Sequence, residues 1–484
     1  MSTPTPIGEL LGPVMRELAR GGPACIDRWE DQIRALRGCR EPVRLTGTRL
    51  TLHARTGEVL HRYSADDEPQ GQVMIRCGNR RASRCPACSK TYQADTYHLI
   101  RAGLSGGQKH VPEQVSTHPR VFATLTAPSF GSVHTQRRDS HGQPLPCRPR
   151  RAGGMCEHGR PVSCGVVHED GDPVLGQPIC PGCYDYPGAV LFNAHTGALW
   201  RRFTTYLWTE TAKHAGIPAR HIRDHLRLSY AKVAEFQRRG VVHFHAVIRA
   251  DGPQGPTSPP PAWATAALLD AAIRSAAQAV RVSTPPCEAG AYELGWGAQV
   301  DVRPITTPDL GEDQQLTEQA VASYIAKYAT KAAETTGTLD RRIGSLDQLE
   351  KREIPEHARR MIVTCWRLGH LPELAHLRLP RWAHMLGFRG HFTTKSRAYS
   401  TTLTAIRDQR RAHALAAHDH DDQEVGDDGE ETTLMVAHWR YAGQGITPGE
   451  SLLAALLTET GEDGEPPDPA FLAAQVAESQ GGSR

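Results

Sequence analysis

The sequence predicts an α+β fold, an antiparallel β-sheet flanked by helices with cysteine-rich insertions. Three observations predict it. The segment LSYAKVAEFQRRGVVHFHAVIRAD (228–251) reads strand, turn, strand, because apolar and β-branched residues flank an RRG break. Elsewhere strands and helices mix without the βαβ alternation of a parallel sheet. Most of the 12 cysteines gather in two clusters, within 75–98 and 147–183.

The elements follow in order. Residues 1–40 read as helical, with a capped amphipathic stretch at ACIDRWEDQIRALRGC. VRLTGTRLTLHARTGEVLHRY (43–63) alternates and carries turn glycines, the pattern of a hairpin. VFATLTAPSFG (121–131) is a β-branched strand stopped by proline and glycine. Residues 189–215 and 217–228 read as helical and lead into the 228–251 hairpin. DGPQGPTSPPPAW (251–263) is a loop; a helix is expected at 263–281, a strand in WGAQVDVRPIT (296–306), and a helix in QAVASYIAKYATKAAE (319–334). HDHDDQEVGDDGEE (418–431) reads as a disordered acidic linker before a short helical tail. No internal repeats occur.

The chain has 484 residues, enough for about two to four domains. Apolar content of 39% and charged content of 23% are those of a soluble globular protein. No run approaches the ~18 apolar residues of a membrane span. The start, MSTPTPIGELLGPVMREL, lacks the basic and apolar regions of a secretion signal, so a cytoplasmic protein is expected. In that compartment disulfides are disfavoured, and metal binding is the first explanation for the cysteines. The net charge of +3 hides a split: residues 341–411 hold 15 Lys/Arg against 6 Asp/Glu, whereas 412–484 hold 2 against 15. The basic half fits a polyanionic partner, and equally a solvated surface.

Within VVHFHAVIRAD (241–251), His243 and His245 are two residues apart on a strand and so share a face. That placement suits two ligands of one ion. Glu235 and Gln237, on the preceding strand, also share a face, and the turn brings them beside the histidines. A carboxylate or amide oxygen would complete an N/N/O site, which suits Mn²⁺ or Mg²⁺. Zinc fits as well, and a pair of satisfied core histidines is the bland alternative.

In YIAKYATK, Tyr324 and Tyr328 lie at i and i+4 on one helix face, with Lys327 and Lys331 at the same spacing beside them. An isolated pattern of this kind fits aromatic core contacts. It also fits chemistry, since a tyrosine can attack a phosphodiester and form a phosphotyrosine. With an unperturbed pKa of ~10, it needs cations and a polarised phosphate nearby.

Taken in order, FATLTAP (122–128), HFH (243–245) and YIAKY (324–328) resemble the HUH endonuclease superfamily, and among its members the rolling-circle replication initiators. The paired-tyrosine YxxKYxxK form is similar to that of single-stranded-DNA phage initiators. The wording of VFATLTAPSFGSVH, CPGCYDY, EFQRRGVVHFHAVIRAD and HMLGFRGHFTTKSRAYSTT resembles initiators of actinomycete plasmids and integrative conjugative elements, over roughly residues 39–405. The resemblance implies an antiparallel HUH core with His243 and His245 as metal ligands and Tyr324 and Tyr328 as nucleophiles, assisted by Lys327. The third ligand varies in the family; Glu235 is the first choice and Gln237 the reserve. Thr124 and Thr126 receive no catalytic role. The implied reaction nicks single-stranded or cruciform origin DNA and leaves a 5′-phosphotyrosine, with a 3′-OH for a host polymerase. No GxxxxGK[ST] motor motif occurs, so unwinding falls to a host helicase.

The first cysteine cluster offers Cys77, Cys85 and Cys88, with Cys39 to close a four-thiolate Zn²⁺ site; the second offers Cys156, Cys164, Cys180 and Cys183, with His158 and His168 as alternates. Cys25, Cys147, Cys287 and Cys365 are expected as free thiols. Arg80, Arg81, Arg84, Arg148, Arg150 and Arg151 fit phosphate contact or plain surface. RWAHMLGFRGHFTTKSRAYS (381–400) interleaves aromatics with cations, which fits base stacking or a core strip. Arg239, Lys331, Arg389, Lys395 and Arg397 are the DNA-contact candidates.

Five segments result: a helical and hairpin segment (1–74), a zinc-binding region holding the first core strand 121–127 (75–188), the nuclease core with its tyrosine helix (189–335), a basic DNA-contacting region (336–411), and an acidic, partly disordered tail (412–484). The rivals are a relaxase or transposase of the same chemistry and a zinc-stabilised DNA-binding regulator without catalysis. A histidine-triad phosphohydrolase ranks last, because Val247 stands where another histidine is needed. Oligomeric state has no signal in the sequence.

Overall fold

The computed structural model describes residues 23–107, 111–150, 153–306, 317–331, 336, 338, 341–350, 353–418, 433–447 and 449–451. The chain divides into two units, residues 1–92 with 414–484, and residues 93–413. The fold is α+β with antiparallel sheets. No helix among the described residues is long and apolar enough to cross a membrane.

In the first unit, helix α1 (Pro23–Leu36) precedes strands β1 (Val43–His53), β2 (Val59–Ser64) and β3 (Val73–Ile75), and helix α2 (Pro86–Ser105) begins there. Trp29, Ile33, Leu36 and Met74 form a small core together with Cys39, Cys85 and Cys88.

In the second unit five strands are ordered β7-β4-β6-β5-β8: β4 (Arg120–Leu125), β5 (Arg227–Phe236), β6 (Val242–Asp251), β7 (Val300–Pro304) and β8 (Thr393–Lys395). All neighbours are antiparallel. Helices α3 (Tyr186–His214) and α4 (Ala266–Ala279) cover one face, whose core includes Val121, Phe244, Ile248 and Trp200. Helix α5 (Glu318–Ala329) lies against β5 on the other face and buries Val321, Ala322, Ile325, Ala326 and Ala329. The small residues in that set allow a close approach to the sheet. Thr317 caps this helix by accepting from the Ala320 amide at 3.1 Å. Helix α6 (Glu356–Gly369) packs on α3, and α7 (Leu403–His418) closes the unit.

Two expectations differ from the structure. Residues 217–228 hold one helical turn, Ile222–His225, and β5 starts at Arg227. The region expected to be an acidic linker and helical tail contains strand β9 (Thr433–Gln444), paired along the whole of β1. TLMVAHWRYAGQ supplies the β-formers for such a strand, and the acidic run beside it hid them. The linker core, 419–432, and the residues after 451 lie outside the described residues.

The β5–β6 hairpin is clamped from α3. The fully buried Asn193 donates to the carbonyls of Gly240 (2.9 Å) and Leu386 (2.8 Å) and accepts from the Val242 amide (2.9 Å). Asn193→Ala strands these groups without partners and is expected to lower stability by on the order of 3 kcal/mol. Denaturant unfolding checks this, with Thr205→Ala on the exposed side of α3 staying within about 0.5 kcal/mol of the parent.

Candidate active site

The register of the hairpin builds the site. Glu235 on β5 faces His243 on β6, and Val233 faces His245. Directly opposed residues share a face, so Glu235, His243 and His245 project together toward α5. Glu235 Oε2 lies 3.0 Å from His243 Nε2 and 3.0 Å from His245 Nε2. The three donors form one cluster that can hold a cation. Adjacent oxygen and nitrogen ligands of an octahedral ion at ~2.1 Å would stand ~3.0 Å apart, so this donor set fits a hard divalent cation.

β4 supplies the support. Thr124 is opposite His245, and its Oγ1 lies 3.0 Å from His245 Nδ1. With Nδ1–H donating to that hydroxyl, the Nε2 lone pair is left for a ligand bond. Phe122, also on β4, stacks parallel to the His245 ring with centroids 5.6 Å apart. Thr124 therefore has a positioning role that the sequence reading missed. The available signal was its place in a central strand, which becomes informative once the β4–β6 register is known.

Helix α5 brings up the tyrosines. Tyr324 Oη is 3.2 Å from His245 Nε2, and the Tyr324 and Tyr328 rings are 4.5 Å apart. Lys331 Nζ stands 4.7 Å from the Tyr328 ring centre and Lys327 Nζ 5.9 Å. The pair is thus at the site and not in the core. Glu318, in the first turn of α5, is paired with the buried Arg120 of β4, which sets the helix against the sheet.

Electrostatics mark the site as anionic. Burial would raise the Glu235 carboxyl, but hydrogen bonds from the two histidines bring it down to about 2. Burial pushes the His245 imidazole below its ordinary value, against the pull of Glu235. Burial and then the Glu235 charge raise the Tyr324 hydroxyl, and Tyr328 raises it further. Tyr328 is raised by burial and by Glu235, but the hydrogen bond from Tyr324 lowers it. A cation beside Glu235 would relieve both phenols.

The remaining candidates divide. Gln237 Oε1 accepts from Arg239 Nε at 2.9 Å, and Arg239 also donates to the carbonyls of Pro128 (2.8 Å) and Ala127 (2.9 Å). Arg239, braced by Gln237, therefore ties the loop after β4 to the hairpin turn, and Gln237 is not among the converging donors. Arg389 and Arg397 are exposed. Lys395 is half-buried and donates to the Ser400 carbonyl at 2.8 Å. Phe388, Phe392 and Tyr399 are buried and belong to the core, and Trp382 packs partly buried against it.

The cysteines form four-donor groups. Cys39, Cys77, Cys85 and Cys88 converge, as do Cys156, His158, Cys180 and Cys183. Cys164 leaves the group expected for it and joins Cys147, expected to be a free thiol, with His134 and His168. Tetrahedral zinc with Zn–S of ~2.3 Å puts sulfurs ~3.8 Å apart. Cys39 and Cys85 are 3.8 Å apart, and Cys156 and Cys180 3.5 Å. Arg151 lies outside the described residues.

A depressed Glu235 adds stability above the unfolded carboxylate pKa and loses it as pH falls from about 4.5 toward about 2. A depressed His245 costs stability once the unfolded imidazole protonates, below about 6.5. Both act in one direction. In chelator, the parent is expected to lose melting temperature on acidification below pH 6.5, and Glu235→Gln to lack the component below 4.5.

A family model described as replication initiator protein, pSAM2 (RepSA), matches residues 25–459. The chain is 54% identical over 435 residues to a replication initiator protein of Streptomyces ambofaciens, a span of 89% of each protein. No solved structure matches it. A match of that extent and identity settles kinship: the chain belongs to the RepSA family of replication initiator proteins.

Proposed function

We propose that this initiator is a metal-dependent HUH enzyme that nicks and rejoins DNA at a replication origin through a covalent 5′-phosphotyrosine. One observation carries the reading: Glu235, His243 and His245 converge, with Tyr324 Oη 3.2 Å from the same His245 nitrogen. When bound by these three residues, Mn²⁺ or Mg²⁺ supplies Lewis-acid polarisation of the scissile phosphate.

The chain's own groups do the rest. Tyr328 is the first nucleophile in this reading: burial and Glu235 raise both phenols, but at Tyr328 the hydrogen bond from Tyr324 opposes the rise, and Lys331 stands over its ring. Its phenol gives up its proton to water, its oxygen bonds to phosphorus as the P–O3′ bond breaks, and the departing O3′ takes a proton from water. The phosphodiester energy is kept in the tyrosyl ester, and the 3′-OH serves a host polymerase behind a host helicase. Tyr324 performs the second transesterification when the origin is regenerated. Thr124 holds His245 in the tautomer the site needs. Arg239 shapes the approach, and Lys331, Arg389 and Arg397 are the phosphate-contact candidates. Zn²⁺ at the Cys39/Cys77/Cys85/Cys88 and Cys156/His158/Cys180/Cys183 groups is structural in this reading.

Two outcomes test it. Incubated with origin-containing single-stranded DNA and Mn²⁺, the parent is expected to yield a covalent adduct on denaturing gels. Tyr328→Phe is expected to lower first-round yield by about a hundredfold or more, with Tyr324→Phe largely intact, and His243→Ala to abolish it. No adduct with any divalent metal leaves a DNA-binding regulator. Separately, Thr124→Val is expected to weaken Mn²⁺ binding by about ten- to a hundredfold in calorimetry.

A further inference from the structure

We propose that His134, Cys147, Cys164 and His168 form a Zn²⁺ site of Cys₂His₂ type, distinct from the two cysteine-rich groups above and independent of the nicking reading. The four donor atoms converge. His134 Nδ1 is 3.2 Å from His168 Nε2, and Cys164 Sγ is 3.5 Å from His168 Nε2. Tetrahedral zinc, with Zn–N of ~2.05 Å and Zn–S of ~2.3 Å, sets these edges at ~3.3 and ~3.6 Å. The separations are therefore those of a ligand shell.

The surroundings are built for it. Cys147 is fully buried, and Cys164 and His168 are buried. His168 Nδ1 lies 2.7 Å from Asp172 Oδ2, the carboxylate–histidine pairing that leaves Nε2 free to ligate. The Thr135 amide donates to Cys147 Sγ at 3.2 Å, as amides do toward a thiolate. Two thiolates balance the two charges of the ion, so the buried centre is neutral.

The fold gives the ion a task. Between 132 and 180 the described backbone has only two-residue strands, at 137–138 and 144–145, and little apolar mass to hold it. Arg148 and Cys164 exchange backbone hydrogen bonds at 2.8 and 3.0 Å, and Cys147 donates to Val166, so the ligands sit where separate loops meet. His134, Thr135 and Arg148 line an open cavity of about 600 Å³, with Gln237, Arg238 and Arg239 on the hairpin side. The ion cross-links the loops that form that wall. The spacing H-x₁₂-C-x₁₆-C-x₃-H carries no CxxC, which is why Cys147 and Cys164 escape a search by motif.

Metal analysis of the purified full chain decides the matter. Cys147→Ser is expected to lose one zinc equivalent relative to the parent while keeping its circular dichroism, and Asp172→Asn to release one equivalent to chelator about ten- to a hundredfold faster. Unchanged zinc content in a folded Cys147→Ser, or a Cys147–Cys164 disulfide found by mass spectrometry, overturns the site. If Cys147→Ser does not fold, X-ray absorption on the parent replaces it. Three centres of the compositions given above average three sulfurs to one nitrogen per zinc, which supports the site; seven sulfurs to one nitrogen, the value without it, overturns it. DNA nicking enters none of these readouts, so the site and the nicking reading fail separately.

Discussion

The pairing register of β5 on β6 is the constraint from which the site follows. A strand places alternate residues on opposite faces, so a slip of one residue would send Glu235 into the apolar layer beneath α3 and bring Phe236 up beside the tyrosines. Several features hold the register. The turn closes with Gln237 N donating to Val241 O at 2.9 Å and Gly240 N to Gln237 O at 2.8 Å. Gly240 has φ +75°, and a Cβ there would stand 2.9 Å from Leu386 Cδ1, so the turn needs glycine. At the far end, the buried Arg249 binds Asp251, which also accepts from Ser229 at 2.6 Å and pairs with His118 at 2.8 Å. A polar network at one end and a clamped turn at the other leave no freedom to slide.

That rigidity keeps Glu235, whose carboxylate the two histidines favour, against the tyrosine pair. Glu235 is held as a carboxylate beside two phenols whose ionisation it opposes. In water the side chains would separate; here the strands and the Glu318–Arg120 pair keep them together. A divalent cation at this carboxylate would ease the ionisation of both phenols, which is why the proposed reading places one there.

Legibility in the sequence followed the range of the interactions. His243, His245 and the tyrosine pair were readable because their meaning lies in spacings of two and four residues within one element. Glu235 was readable because a tight hairpin carries it across. Thr124 was not, since its partner is 121 residues away on a strand whose order in the sheet no local pattern reveals. Arg239 was only partly legible for a related reason. Nothing local shows that a basic residue in this turn reaches the carbonyls of Ala127 and Pro128, more than a hundred residues earlier. β9 failed because an adjacent acidic run dominated the composition, while its partner β1 lies some 390 residues earlier in the chain.

The same contrast separates the two ways this chain makes rigid structure. The five-stranded sheet has helices to bury its apolar face, so hydrophobic packing positions the catalytic candidates. Among the described residues the cysteine-rich insert has neither long strands nor helices between 132 and 180, and in the proposed arrangement zinc ligands hold it instead. Its donors converge from residues 134, 147, 164 and 168 in one group and from 156, 158, 180 and 183 in another. The two sets interleave along the chain, so neither loop can be withdrawn without disturbing both. A wall built this way keeps its shape without a core of its own, and it leaves the surface free for polar groups such as Arg148 and Arg238 that face an open cavity.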